Sequence, residues 1–232
     1  IQCDAEYVKQ KTINDYNVPE DKITVFPWGI DLELFKTKNK ISCKEQLHIE
    51  PEKFVIIFNR YLEPVYGIMY LLEGFKKFCK DKDDVVLLLL SDGSLKDKVK
   101  KFIISNQLDK KIKFVGKVSN HELPLYLGAS DIFVSTSLSD GTSLSLLEAM
   151  ACGLGLIVTD LPAIREWVSD QNGFIIPQQN SDAVSDVLEK CYNNINLTEK
   201  KGKINIKIAN ERADWSKNYL KLKQIYNKIS KS

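Results

Sequence analysis

The feature that most constrains this chain is a rhythm. Near-continuous apolar runs at residues 54–59, 85–90, 112–115, 132–134 and 156–159 are each followed by a polar turn. Segments of helical composition follow at 67–79, 95–104, 121–127 and 144–152. Strands with one wet face alternate apolar and polar side chains, whereas runs this uniformly apolar are covered on both faces. The pattern continues with a strand at 174–176, a helix at 182–191 and a helical tail at 198–229 that carries Trp215, Tyr219 and Tyr226. The expected fold class is α/β: a doubly wound, parallel, Rossmann-like sheet with a helical C-terminal tail. Such sheets bind ligands beyond the carboxyl ends of their strands. That directs attention to the loops at 60–66, 91–94, 116–120, 135–143 and 160–166.

Upstream, residues 4–16 read as a polar helix ended by Asn17-Val18-Pro19. A short strand follows at 23–26, then the turn Pro27-Trp28-Gly29-Ile30-Asp31 leading to Phe35, and one helical turn at 44–47 before Pro51. The chain opens on Ile1-Gln2-Cys3-Asp4 without an initiator methionine, so it is expected to be a fragment of something longer.

Composition excludes some classes. With 33 basic against 31 acidic residues, no nucleic-acid partner is implied, and the lysine-rich stretches at 36–40, 96–101 and 200–207 read as solvated faces. The five cysteines (Cys3, Cys43, Cys79, Cys152 and Cys191) lie far apart with no Cys-x-x-Cys pair, the expected usage of a reduced, intracellular chain without a metal site. The run at 85–90 is too short to span a bilayer. No Gly-x-Gly-x-x-Gly follows the first strand of the repeat, no phosphate-loop Gly-Lys-Ser/Thr is present, and no serine elbow is visible.

The densest chemistry lies in Ser139-Asp140-Gly141-Thr142-Ser143-Leu144-Ser145-Leu146-Leu147-Glu148-Ala149-Met150-Ala151-Cys152-Gly153. Ser139 and Asp140 read as N-cap residues, Gly141 as a tight turn, and 144–152 as a helix whose free amides attract an anion. Glu148 stands in an apolar segment and needs partners or water, unless it shares a solvent face with Ser145. Arg60 directly ends an apolar strand, where it either forks onto a phosphate or pairs with Asp92 or another loop carboxylate.

Taken together, Pro27-Trp28-Gly29-Ile30-Asp31 with Phe35, Arg60 after a strand, Phe114-Val115-Gly116-Lys117-Val118, the run at 126–133 and the segment from Asp140 to Gly153 resemble one family. Leu156-Ile157-Val158-Thr159-Asp160 and Gly173-Phe174-Ile175-Ile176-Pro177 complete the likeness. The chain is similar to the C-terminal, nucleotide-sugar-binding half of retaining GT-B glycosyltransferases of glycosyltransferase family 4. The resemblance implies two acidic residues separated by seven others, here Asp140 beside the transferred sugar, where glutamate is usual, and Glu148 on the ribose. It implies that the amides of Gly141, Thr142, Ser143 and Leu144 contact sugar hydroxyls and diphosphate, with Ser143 replacing glycine and narrowing the space beside the sugar. Arg60 becomes the diphosphate arginine, and the backbone at Val118 holds the base.

The lysine usual five or six residues after that arginine is missing, since Val65 and Tyr66 stand there. Either another base replaces it, or Tyr66 contacts phosphate through its hydroxyl, or donor binding is weaker. The implied chemistry is metal-free hexosyl transfer with retention, in which Arg60 and Asp140 act at the reacting centre. The donor would be a UDP-, GDP- or ADP-sugar and the acceptor a glycan or lipid-linked molecule. The implied setting is polysaccharide synthesis in the cytoplasm, at the inner face of a membrane with peripheral association. Residues 1–20 would be the remnant of an N-terminal acceptor domain and its crossover helix, 21–195 the donor domain, and 196–232 helices that pack back on the absent domain. Two further readings stay open: a non-catalytic nucleotide-sugar-binding module acting with a partner chain, and a scaffold for protein interaction.

Overall fold

The structure, a computed structural model, describes residues 1–26 and 28–229; Pro27, at the head of the expected turn, lies outside the described residues. The chain begins with β1 (Gln2–Cys3), α1 (Glu6–Tyr16), a 3₁₀ turn and β2 (Thr24–Val25). The strand expected at 23–26 therefore exists, but it pairs in parallel with β1 in a separate two-stranded sheet. Helix α2 (Lys40–Gln46) is longer than the single turn expected, because Asn39 caps it by accepting the Ser42 amide at 3.0 Å.

The repeat then unfolds as β3 (Phe54–Phe58), α3 (Ile68–Phe78), β4 (Val85–Leu89), α4 (Lys96–Ser105) and β5 (Ile112–Phe114). It continues through α5 (Leu123–Gly128), β6 (Ile132–Ser135), α6 (Leu144–Ala151), β7 (Gly155–Thr159), the short α7 (Pro162–Arg165) and β8 (Phe174–Ile176). Helix α5 starts two residues later than its sequence suggests. The Glu122 carboxylate folds back onto the amide and hydroxyl of Ser119, at 3.0 and 2.7 Å, and holds that stretch as a turn. The segment at 160–166, expected as a plain loop, contains α7.

The main sheet has the order β5-β4-β3-β6-β7-β8, and every pairing is parallel. This is the doubly wound Rossmann-like order, in which the winding reverses between the first strand and the fourth. Here those strands are β3 and β6. All residues of β3 are buried, with Val55 and Ile57 facing one core and Phe54, Ile56 and Phe58 the other. The second core is closed by Leu71, Leu72 and Phe75 of α3 and by Val184 and Leu188 of α8 (Ser181–Asn193). Leu146, Leu147 and Met150 of α6 fill the first.

The tail is two helices, α9 (Ile195–Arg212) and α10 (Trp215–Ile229), not one continuous segment. The break is stapled to the turn after β2: the Ile30 amide donates to Ala213 O at 2.8 Å and the Trp215 amide to Ile30 O at 3.1 Å. Asp214 then restarts the helix by accepting the Ser216 amide at 2.9 Å. Trp215, Tyr219 and Tyr226 are exposed along α10. Helix α9 docks on the turn between α6 and β7 through Gly202, where an added Cβ would press into the Gly153 carbonyl. Gly202→Ala is therefore expected to lower the free energy of unfolding by about 1–3 kcal/mol in urea titrations, as overpacking does; an unchanged midpoint would contradict the docking.

Candidate active site

Where the winding reverses, the chain leaves β3 at Asn59 and Arg60 and leaves β6 for the turn at 136–143. Arg60 joins these two loops. Its Nη2 donates to Asp140 Oδ2 at 2.6 Å, and its Nη1 donates to Ser143 Oγ at 2.7 Å and Ser145 Oγ at 2.9 Å. The Tyr66 ring lies against the guanidinium, with Cζ 4.3 Å from the ring centroid. The side chains of Arg60 and Asp140 are only 10% and 12% exposed, so each needs the other's charge. Of the pairings open to Arg60 in the sequence, a loop carboxylate is realised, but in Asp140; Asp92 instead holds Lys96 at 2.8 Å. Arg60 Nε and Asn59 Oδ1 are buried here with no hydrogen-bond partner among the described residues.

The expected N-caps are corrected. Ser143, not Ser139 or Asp140, caps α6 and accepts the Leu146 amide at 3.3 Å. The helix starts at Leu144, too far along the chain for Asp140 to cap it, and Asp140 is taken by Arg60. The four amides expected to stay open also divide. The Thr142 amide donates to Asp4 Oδ2 at 2.9 Å, while the Gly141 amide turns toward the Asp140 carboxylate. Those of Ser143 and Leu144 carry no protein acceptor among the described residues. Tyr66, considered above as a phosphate ligand through its hydroxyl, presents its ring to Arg60 and fixes the guanidinium plane.

A cleft of about 190 Å³ adjoins this cluster and brings Val118, Leu144, Ser145 and Glu148 together with Asn59 and Lys117. Val118, Leu144 and Glu148, expected as site residues, are thus brought to one cleft. Lys117, Asn59, Ser145 and Asp4 were missed. The i, i+3 spacing of Ser145 and Glu148 was the available signal for Ser145. Lys117 lies in the turn that ends β5 with no distinguishing spacing, and nothing local marks Asp4.

Burial decides the protonation chemistry. Desolvation raises the Asp140 carboxyl, opposed by the Arg60 charge and hydrogen bond. The Glu148 carboxylate makes no hydrogen bond among the described residues, and burial pushes it from 4.5 up to about 7, again opposed by Arg60. Among the described residues, no group of three or more His, Cys, Asp or Glu side chains is placed to hold a metal ion. None of the described helices is long and apolar enough to cross a membrane.

The Glu148 shift has a stability consequence. Between pH 4.5 and about 7 the folded chain keeps a proton on Glu148 that the unfolded chain has released, so stability falls as pH rises through that window. At about 1.4 kcal/mol per pKa unit, the loss is roughly 3 kcal/mol. Glu148→Gln should therefore be more stable than the parent at pH 8, with that gain shrinking toward pH 4.5, in urea unfolding across pH. A gain that does not vary with pH would contradict a protonated, sheltered carboxyl.

Comparison with known proteins places this architecture. The chain is 31% identical over 186 residues to UDP-Gal:alpha-D-GlcNAc-diphosphoundecaprenol alpha-1,3-galactosyltransferase of Escherichia coli, a match covering 78% of this chain and 48% of that protein. It is 27% identical over 194 residues to the alpha-monoglucosyldiacylglycerol synthase of Acholeplasma laidlawii, covering 80% of this chain and 49% of that protein. The crystal structure of Anabaena HepE in complex with UDP superposes with a TM-score of 0.87 at 20% identity, covering 100% of this chain and 63% of that one. The chain thus spans about half the length of the curated relatives it matches, and its fold is that of the C-terminal half of GT-B glycosyltransferases. Residues 39–208 match the family model for glycosyl transferases group 1, and the chain belongs to that family.

Proposed function

We propose that this chain is the donor-binding half of a retaining glycosyltransferase of family 4, transferring a hexosyl group from a nucleotide-diphosphate sugar. The observation that carries the reading is the Arg60 cluster at the point where the winding reverses. There a buried guanidinium with an unpartnered Nε adjoins two open amides and a cleft holding Glu148. The UDP bound by HepE and the UDP-galactose named for the Escherichia coli relative support a nucleotide donor.

In this reading the diphosphate sits between Arg60 and the amides of Ser143 and Leu144, where a fixed cation and outward N–H groups stabilise the charge that grows as the nucleotide leaves. No metal is required. Tyr66 holds Arg60 in plane, and Lys117, in the cleft beside Glu148, supplies the second cation whose usual lysine is missing. Glu148 accepts from the ribose hydroxyls, Val118 lies at the base, and Asp140, Gly141 and Thr142 border the hexose.

The acceptor would be a glycan or lipid-linked molecule held by an N-terminal domain, at the cytoplasmic face of a membrane. Residues 1–20 would belong with that domain, 21–195 would form the donor domain, and the exposed aromatic face of α10, within 196–232, would pack against it.

Isothermal titration with UDP, GDP and ADP tests the donor assignment. One of them should bind, and Arg60→Ala should weaken it by about tenfold or more, the loss expected for a charge-assisted hydrogen bond. Glu148→Gln at pH 8 should weaken the ribonucleotide, and more than it weakens the 2′-deoxy analogue. Absence of binding by all three diphosphates at millimolar concentration would overturn the reading.

A further inference from the structure

Asp4, near the start of the chain, reaches the turn between β6 and α6. Its Oδ2 accepts the Thr142 amide at 2.9 Å, and its carbonyl oxygen accepts the Thr142 hydroxyl at 2.7 Å. Gly141 makes the approach possible, because a Cβ there would lie 2.6 Å from Asp4 Oδ2 and 3.1 Å from Oδ1. The segment carrying Asp4 is held from a second side, where the Glu166 carboxylate accepts the amides of Glu6 and Tyr7 at 3.2 and 2.9 Å. Asp4 is therefore fixed in place at both ends.

The chemical effect is a change of sign. An amide at 142 would offer a donor to whatever lies beside the turn. With Asp4 seated on it, that position offers an anionic acceptor, Oδ1, which has no hydrogen-bond partner among the described residues. Asp140 stands on the other side of Gly141 with its charge already engaged by Arg60. Arg60 Nε, in the same cluster, is buried with no hydrogen-bond partner among the described residues. A sugar between the two carboxylates can donate hydroxyl hydrogens to them, whereas a sugar carboxylate would meet uncompensated negative charge.

Resting on the donor-binding reading above, we propose that Asp4 is a specificity-determining residue of the sugar subsite, selecting neutral hexosyl donors and rejecting uronosyl donors. The test is isothermal titration of the parent chain and Asp4→Asn with UDP, UDP-glucose and UDP-glucuronate. If GDP or ADP is the diphosphate bound, its own hexosyl and uronosyl esters are used. The asparagine carbonyl still accepts the Thr142 amide, so the turn is kept while the charge is removed. The parent should prefer the glucosyl over the glucuronosyl ester by about tenfold or more, the scale of one like-charge contact. In Asp4→Asn that preference should narrow to about threefold or less, with the affinity for UDP unchanged. A preference that survives the substitution, or a parallel loss of UDP affinity that marks Asp4 as only structural, would overturn the proposal. Failure of the parent to bind any diphosphate would instead overturn the donor-binding reading, and this inference with it.

Discussion

One buried cation organises the site. Arg60 is nine-tenths buried at the carboxyl end of the first strand of the wound sheet, where a guanidinium without partners would be costly. Its partners all come from the other side of the reversal: Asp140 from the turn after β6, and Ser143 and Ser145 from the first turn of α6. The fork geometry of arginine lets one side chain bond to three others in one plane, which a lysine cannot do. Tyr66 covers the face of that plane. The loops after β3 and β6 are thereby fixed relative to each other before any ligand arrives, while Nε stays without a partner.

The surrounding acids then follow from burial. Asp140 and Glu148 both lie within reach of the Arg60 charge, and both are removed from water. Desolvation raises the carboxyls of Glu148 and Asp140 against the pull of Arg60. With its carboxyl held up at about 7, Glu148 carries less negative charge near neutral pH than an exposed glutamate would. The ribose contact proposed for Glu148 and the loss of stability with rising pH both rest on the same buried carboxyl.

Much of this was legible in the sequence, and the reason is local. The uniform apolar runs forced a parallel sheet, and the rule for ligand placement then singled out the loops carrying Arg60 and Asp140. What the sequence did not reveal depends on contacts between distant residues. Asp140 read as a helix cap because aspartate favours that role, but Arg60 claims it across 80 positions and leaves the cap to Ser143. Asp4 is 138 positions from Thr142, and no spacing along the chain announces that pairing. The break in the tail likewise depends on Ile30, whose backbone bonds to Ala213 and Trp215 are invisible to helical periodicity.

A nucleoside diphosphate bound against Arg60, as proposed, would change the surroundings of its guanidinium, whose Nε has no hydrogen-bond partner among the described residues. The chain has three arginines, Arg60, Arg165 and Arg212, so their Nε–H signals can be assigned by substitution and followed by ¹⁵N nuclear magnetic resonance. Titration with the diphosphate that binds should shift the Arg60 signal, while the parent nucleoside leaves it in place. Binding of the diphosphate with the Arg60 signal unmoved would contradict the account.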